Sequence, residues 1–414
     1  MTGVSRQRDF AVEVVAKLRA AGHQALFAGG CVRDLLLGRV SKDYDVATTA
    51  LPDQVRAIFG HQRTLAVGAN FGVIVVIGPR KAGHVEVATF RTEGNYLDGR
   101  RPESVAFCTP EEDARRRDFT INGMFFDPID EKVFDFVGGE ADLAARVVRA
   151  IGDPHDRVRE DKLRMLRAVR FTATLNFSLD AVTADAIRQM SSELIVVSAE
   201  RIAQELKRML TDPYRRRAIE LADDVRLFRI IFPELDTLSR QPEWTDTLRR
   251  LELLSQPSFE LALAALLKSL PAKPVVHDIC RRLKLSNEET DRTVWLVAHQ
   301  SDLDDASRIN LAALKRCLAH PYHTDLLQLL LADRVATSSS LEPVQFCDAF
   351  LAQTPREVID PPPFVTGDDL IQMGLRPGPR FKSVLEIVRD AQLNLEVSHR
   401  DAALELAQAE WNKK

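Results

Sequence analysis

Two aspartates one residue apart, Asp43 and Asp45 in KDYDVAT, follow a glycine pair and an arginine in GGCVRD (29–34). On a strand, residues i and i+2 point to the same face, so the two carboxylates would sit side by side. Like charges that close are costly unless a cation bridges them. Oxygen-only ligands select hard ions, and Mg²⁺ is commonly held by one or two carboxylates together with substrate phosphates. A bare Asp-x-Asp also reads as a solvated acidic edge; the neighbouring residues argue for the metal. Gly29 and Gly30 lie between a strand and a helix, where free backbone N–H groups can cradle phosphate oxygens, and Arg33 follows on the first turn. The dinucleotide-binding alternative fits less well: GGCVRD is not GxGxxG, and no parallel βαβ pattern follows.

Three further stretches carry chemistry. VEVATFR places Glu86 on a neighbouring strand, either as a third carboxylate toward the metal or as a rim glutamate. ARRRDFTIN (114–122) stacks three arginines before Asp118. Such a run often marks a solvated face, but its position near the glycine turn favours contact between Arg117 and a triphosphate. In REDKLRMLRAVRF (159–171), Asp161, Arg164, Arg167 and Arg170 recur in steps of three, with Leu163, Leu166 and Val169 opposite. The spacing suits a salt-bridged solvent face or a recognition surface equally.

If Asp161 and Arg164 face a base, donor–acceptor logic sets the choice. A carboxylate accepts and a guanidinium donates. Cytosine and adenine offer an amine beside a ring-nitrogen acceptor; uracil and guanine present a carbonyl beside a ring N–H. The pair would take C and A and reject U and G. Leaving buried polar groups unpaired discriminates by ~10⁴ in favourable cases.

The elements that must position these residues divide the chain. Phe10, Val14 and Leu18 predict a helix over 7–21, QALFAGG a buried strand, VRDLLLG a helix stopped by Gly38, and DYDVAT a strand. LPDQVRAIFG reads as a helix, and FGVIVVIG and HVEVATFR as a hairpin pair joined at PRKAG. DGRRPESV (98–105) is a polar loop suited to act as a lid. Past about residue 140 the strand signals vanish and helices follow, the first over 155–172, with DPPPFVTGDDL (360–370) as a linker before a Thr-capped helix. The fold class is therefore α+β at the N-terminus followed by an all-α remainder.

The 414 residues carry 56 basic and 60 acidic side chains, which argues against a protein that coats nucleic acid wholesale. Residues 141–217 are locally basic, with 15 Lys/Arg against 11 Asp/Glu. Five scattered cysteines with no CxxC indicate neither a disulfide framework nor a zinc ribbon, and fit a reducing cytoplasm. The N-terminus reads as an amphipathic helix rather than a signal peptide, and no apolar run is long enough to span a membrane.

LFAGGCVRDLLLG…KDYDVAT, EVATFR, RRRDFTINGM, FDFVGGEADL, REDKLRMLRAVRF and SAERIAQELKRML, in that order over residues 24–211, resemble the successive motifs of the bacterial class II tRNA nucleotidyltransferase/poly(A) polymerase family. The tail PPFVTGDDLIQMGLRPGPRFKSVLE also looks like that of bacterial CCA-adding members. The resemblance implies a polymerase-β-like head (1–140), a neck (141–215), a helical body (216–355) and a tail (356–414). It implies that Asp43 and Asp45 hold catalytic Mg²⁺; Glu86 joins them as a catalytic candidate on its strand position alone. The resemblance implies that Gly30, Arg33 and Arg117 contact the triphosphate, and that Asp161 and Arg164, with Arg167 and Arg170 nearby, read the base; Asp118 is counted with the nucleotide-binding residues. The partners implied are a tRNA 3′ end, CTP and ATP, with no obligate protein partner. The full-length segment RTEGNYLDGRRPESVAF leads to the expectation that A is added. An enzyme adding only A, a poly(A) polymerase, and a non-catalytic RNA-binding protein on the same scaffold remain alternatives. His277-Asp278 lacks companion histidines and reads as a helix pair, not a phosphohydrolase site.

Overall fold

A computed structural model of the chain describes residues 3–41, 43–68, 72–79, 82–93 and 105–413. Most of the expected lid segment lies outside the described residues. Two compact units emerge: Met1–Met209 with Arg217–Glu234, and Leu210–Arg216 with Leu235–Lys414.

The first unit is built on a seven-stranded mixed sheet. Its early elements are α1 (Gly3–Ala20), β1 (Ala25–Ala28), α2 (Gly30–Leu36), β2 (Asp45–Thr48), α3 (Pro52–Phe59), β3 (Thr64–Gly68), β4 (Val73–Ile77) and β5 (His84–Thr89). A short antiparallel pair, β6 (Arg91–Glu93) and β7 (Val105–Phe107), stands apart, and β8 (Phe125–Asp127) and β9 (Lys132–Phe134) complete the sheet in the order β3-β4-β5-β2-β1-β8-β9. β1 runs through the middle, antiparallel to β2 and β8, and all four of its residues are buried. That explains why it is an unbroken apolar run rather than an alternating one. Phe10, Val14 and Leu18 of α1 are buried, as their spacing predicts.

Two register relations decide where the chemistry sits. Ala28 pairs with Asp45, so the C-terminal end of β1, where the chain turns into α2, lies beside the start of β2. Asp45 pairs in parallel with Glu86. The strand begins at Asp45 rather than Asp43, yet the alternation continues: Tyr44 is buried against Phe27 at 5.4 Å, and Asp43 and Asp45 are exposed on either side of it. Beneath them Phe90 and Phe125 meet edge to face at 5.6 Å, packed with Leu26, Ala28, Ala47 and Ala114.

Helix α4 (Pro110–Arg115) starts at Thr109, whose hydroxyl accepts from the Glu112 N–H while Glu112 accepts from the Thr109 N–H. α5 (Gly139–Ala145), α6 (Pro154–Glu160), α7 (Leu163–Leu175), α8 (Ala181–Met190) and α9 (Ala199–Leu210) follow. Two expectations are corrected. The single helix over 155–172 is two helices, broken where Asp161 takes an extended conformation (φ −146°, ψ 105°). Strand pairing does not end at 140, because Val147–Val148 and Ser178–Leu179 form a small parallel ladder.

The second unit is helical among its described residues. At its end Thr366 caps Gly367–Gln372 in a reciprocal box with Asp369, as the motif predicts, and Leu370, Val384, Val388, Ala403 and Ala407 are buried together. No helix among the described residues is long and apolar enough to cross a membrane.

Truncating Phe125 removes a fully buried ring at the centre of the first unit. Phe125→Ala is expected to destabilise that unit by about 3–5 kcal/mol, read as a lower urea midpoint. Lys132→Ala, at an exposed position of β9, should leave it unchanged.

Candidate active site

The turn from β1 into α2 needs glycine. Gly29 sits at φ 72°, and a Cβ there would approach Arg117 Nη1 to 3.1 Å. Around this turn lies a cavity of about 480 Å³, walled by Gly29, Gly30, Arg33, Asp45, Arg116, Arg117, Asp118, Asn122, Asp161, Arg164, Arg167 and Phe171. Five of these are arginines and three are aspartates, so the wall is cationic.

Five guanidinium groups around one cavity repel each other, and buried carboxylates hold them. Asp113, buried on α4, accepts from Arg116 Nη2 at 2.6 Å and Arg117 Nη2 at 2.9 Å. Burial alone would push its carboxyl up, but the Arg117 and Arg116 charges outweigh that and hold it below the ordinary carboxylate range. Arg117 also lies over the Phe125 ring, 4.9 Å from its centroid.

Asp118 accepts from Arg167 Nη2 at 2.6 Å, from its neighbour's N–H (Phe119) at 2.8 Å and from Asn122 Nδ2 at 3.2 Å. Burial again raises its carboxyl, and Arg167 chiefly overcomes it, bringing the value to about 2. Asn122 passes the link on: its Oδ1 accepts from Arg33 Nη1 at 2.8 Å, while Arg33 Nη2 reaches Asp34 at 2.7 Å. Glu205, buried on α9, pairs with Arg170 and lies 3.9 Å from Arg167. Arg33, Arg167 and Arg170 all pack within 5.4 Å of the Phe171 ring centroid. A connected run of pairs thus joins α2 to α7 and α9.

At the acidic edge, Asp45 keeps part of its surface in solvent, yet desolvation by the surrounding cavity wall first and Glu86 second push its carboxyl up to about 6, with Arg117 pulling it down. Asp43 and Glu86 flank Asp45 without lining the cavity. Among the described residues no three His, Cys, Asp or Glu side chains converge to hold a metal unaided. Two oxygen donors on one face, crowded by a third carboxylate, fit a hard cation completed by ligand phosphates.

Asp161 reaches the cavity from the break between α6 and α7, not from a helix face. Its two oxygens accept from Arg201 Nη1 at 3.1 Å and Nη2 at 2.6 Å. Arg164 is anchored by Glu160 and by the carbonyls of Arg157 and Arg116. Arg170 is not brought to the cavity wall and is spent on Glu205. The His277-Asp278 pair lies on the helix His277–Arg282 of the second unit. Sequence reasoning missed Asp113, Asn122, Glu205 and Arg201. The signal for Asp113 was present: it stands three and four residues before Arg116 and Arg117, just past a Thr-Pro-Glu-Glu helix start.

The Poly A polymerase head domain family matches residues 25–149, and the family described as a probable RNA and SrmB-binding site of polymerase A matches residues 176–238. The CCA-adding enzyme of Geobacillus thermodenitrificans (strain NG80-2) is 38% identical over 318 residues, covering 75% of this chain and 76% of that protein. That of Lacticaseibacillus paracasei is 34% identical over 397 residues, covering 92% and 91%. Alignments with several further Bacillus and Geobacillus relatives span about half of those proteins. Among solved structures, the Bacillus stearothermophilus CCA-adding enzyme in complex with CTP is similar with a TM-score of 0.77 at 29% identity, covering 99% of this chain and 98% of that one.

Arginines held in place around the cavity present the donors that a polyphosphate would take. Arg117→Ala is expected to weaken binding of inorganic tripolyphosphate by about tenfold or more, the loss of a charge-assisted hydrogen bond. Titration calorimetry reads this, with the exposed Arg115→Ala unchanged beside it.

Proposed function

This chain belongs to the CCA-adding enzymes and is a nucleotidyltransferase, and on that premise we propose that it completes tRNA 3′ ends with C, C and A, taken from CTP and ATP without a nucleic-acid template. The observation that carries this reading is the meeting, in one cavity, of an acidic edge at Asp45, an arginine-lined glycine turn and the Asp161/Arg164 pair. In the reaction the tRNA 3′-hydroxyl attacks the α-phosphate of the nucleoside triphosphate and pyrophosphate leaves.

Asp43 and Asp45 are the residues that would hold Mg²⁺, which when bound offsets phosphate charge and makes the attacking hydroxyl more acidic. Gly30 and the turn around it leave room for phosphate oxygens against backbone N–H groups, and Arg33 and Arg117 stand at the same wall. Asp118 contributes by holding Arg167 and Asn122 rather than by touching phosphate. Most of the rate enhancement is assigned to positioning and charge neutralisation.

Base choice falls to Asp161 and Arg164. Arg201 donates one hydrogen bond to each Asp161 oxygen and the Leu163 N–H donates a third to Oδ1, and a carboxylate has about four acceptor positions, so one remains for an exocyclic amine. Arg164 uses three of its N–H groups on Glu160 and two carbonyls, which leaves donors for a ring nitrogen. The anchoring keeps the pair fixed, so U and G meet unmatched groups instead of a site that rearranges to suit them. We assign the neck around 141–215 to base and RNA contact, the tail from 356 to tRNA, and the protein to the cytoplasm. The five free cysteines fit that last assignment.

The test is single-nucleotide-resolution extension of a tRNA ending at its discriminator base. With Mg²⁺ and CTP alone the product should grow by two residues, and ATP should then add one. GTP and UTP should add nothing, Asp161→Ala should relax that exclusion, and Asp45→Asn should abolish extension while tRNA is still bound. Extension only with ATP, and only from a tRNA already ending in CC, would overturn the full CCA reading. A single added A would then indicate an A-adding enzyme, and a long tract a poly(A) polymerase.

A further inference from the structure

A cavity larger than the nucleotide pocket lies elsewhere in the chain. About 740 Å³ opens within the second unit, lined by the helices Asn287–Ala298, Leu311–Ala319 and Pro379–Leu393 and by the turn after Ala319. That volume is ordinary for a small-molecule site, and none of the chemistry above uses it.

One wall is aromatic. Trp295 stacks on His320 with centroids 3.8 Å apart and planes 6° from parallel, and His299 lies 4.6 Å from Trp295. The other feature is a buried cation. Lys315, 2% exposed, lines the cavity, and its Nζ donates to the carbonyl of Leu393 at 3.0 Å. An ammonium carries three donors, so two remain. Its neighbours on the wall are paired: Arg316 with Asp390 at 2.6 Å, Arg389 with Asp360 at 2.9 Å, and His299 with Asp302 at 2.6 Å. Lys315 has no carboxylate partner among the described residues. Burial first, then Arg389, pulls its ammonium below the ordinary lysine range, the mark of a charge lacking compensation. An unpaired buried cation is costly, and an anion from solution would relieve it.

We propose that this cavity is a second ligand site that takes a small aromatic acid, its ring against the Trp295–His320 wall and its anionic group at Lys315. Apolar lining from Ala313, Ala319 and Leu393 suits a flat hydrocarbon body, and the remaining lysine donors fix the acid end. A neutral ring would gain the wall but not the lysine. A bare inorganic anion would gain the lysine but leave the wall wet.

The test is a fluorescence titration of the full chain at saturating CTP, with 2-naphthoate and its neutral analogue 2-naphthamide as probes and Trp295 as reporter. Naphthoate should quench saturably and bind about tenfold or more tighter than the amide, the increment for a charged hydrogen bond. Lys315→Met should bring the two affinities together while tRNA extension stays unchanged. Ala313→Phe, which fills the cavity without touching the lysine, should abolish binding of both, and it serves as the test should Lys315→Met not fold. Equal affinity for acid and amide in the unaltered chain, an acid preference surviving Lys315→Met, binding surviving Ala313→Phe, or no saturable quenching would each overturn the proposal.

Discussion

Positive charge gathered around a small cavity is the constraint on which the first unit depends. Arg33, Arg116, Arg117, Arg164 and Arg167 would drive one another apart if their counterions were solvent ions. The counterions are instead carboxylates of the chain itself: Asp34 for Arg33, Asp113 for Arg116 and Arg117, Glu160 for Arg164 and Asp118 for Arg167, with buried Glu205 close to the last. A buried ion pair contributes little net stability, whereas removing one partner leaves an expensive lone charge. The network therefore fixes arrangement more than it stabilises the fold, and the arrangement it fixes is donors already aimed when the ligand arrives.

The sheet supplies the complementary half. The pairing of Ala28 with Asp45 brings the glycine turn and the acids to the same edge, with a buried aromatic layer of Phe90 and Phe125 behind them. Acids and arginines then meet from opposite sides. Arg117 bridges the two sides: its donors serve Asp113 and its charge is felt at Asp45. On the proposed reading, the acids serve cations and the arginines serve phosphates, side by side at one small cavity.

Much of this was legible in the residues. The i, i+2 logic of Asp43 and Asp45 survives although the strand starts late, because buried Tyr44 preserves the alternation. The steps-of-three spacing of 161–170 put Asp161, Arg164 and Arg167 on one helix face without deciding its use, and the structure brings them to one cavity by a different route. Asp161 is not helical, and Arg170 points its charge to Glu205. Periodicity reports which residues share a face and is blind to which partner a charge finds across sequence. Asn122 and Glu205 were invisible for that reason: their partners lie 89 and 35 residues away. The cavity around Lys315 likewise draws its wall from helices separated in sequence.

The claim that buried carboxylates hold the arginines ready is tested most directly by a double-mutant cycle on Asp118 and Arg167, read as kcat/KM for CTP incorporation. If the two act as one unit, Asp118→Asn and Arg167→Met each cost activity, and the double variant costs little more than either, with a coupling of about 1–3 kcal/mol. Losses that simply add would contradict the account, because they would mean that Asp118 and Arg167 serve the reaction independently.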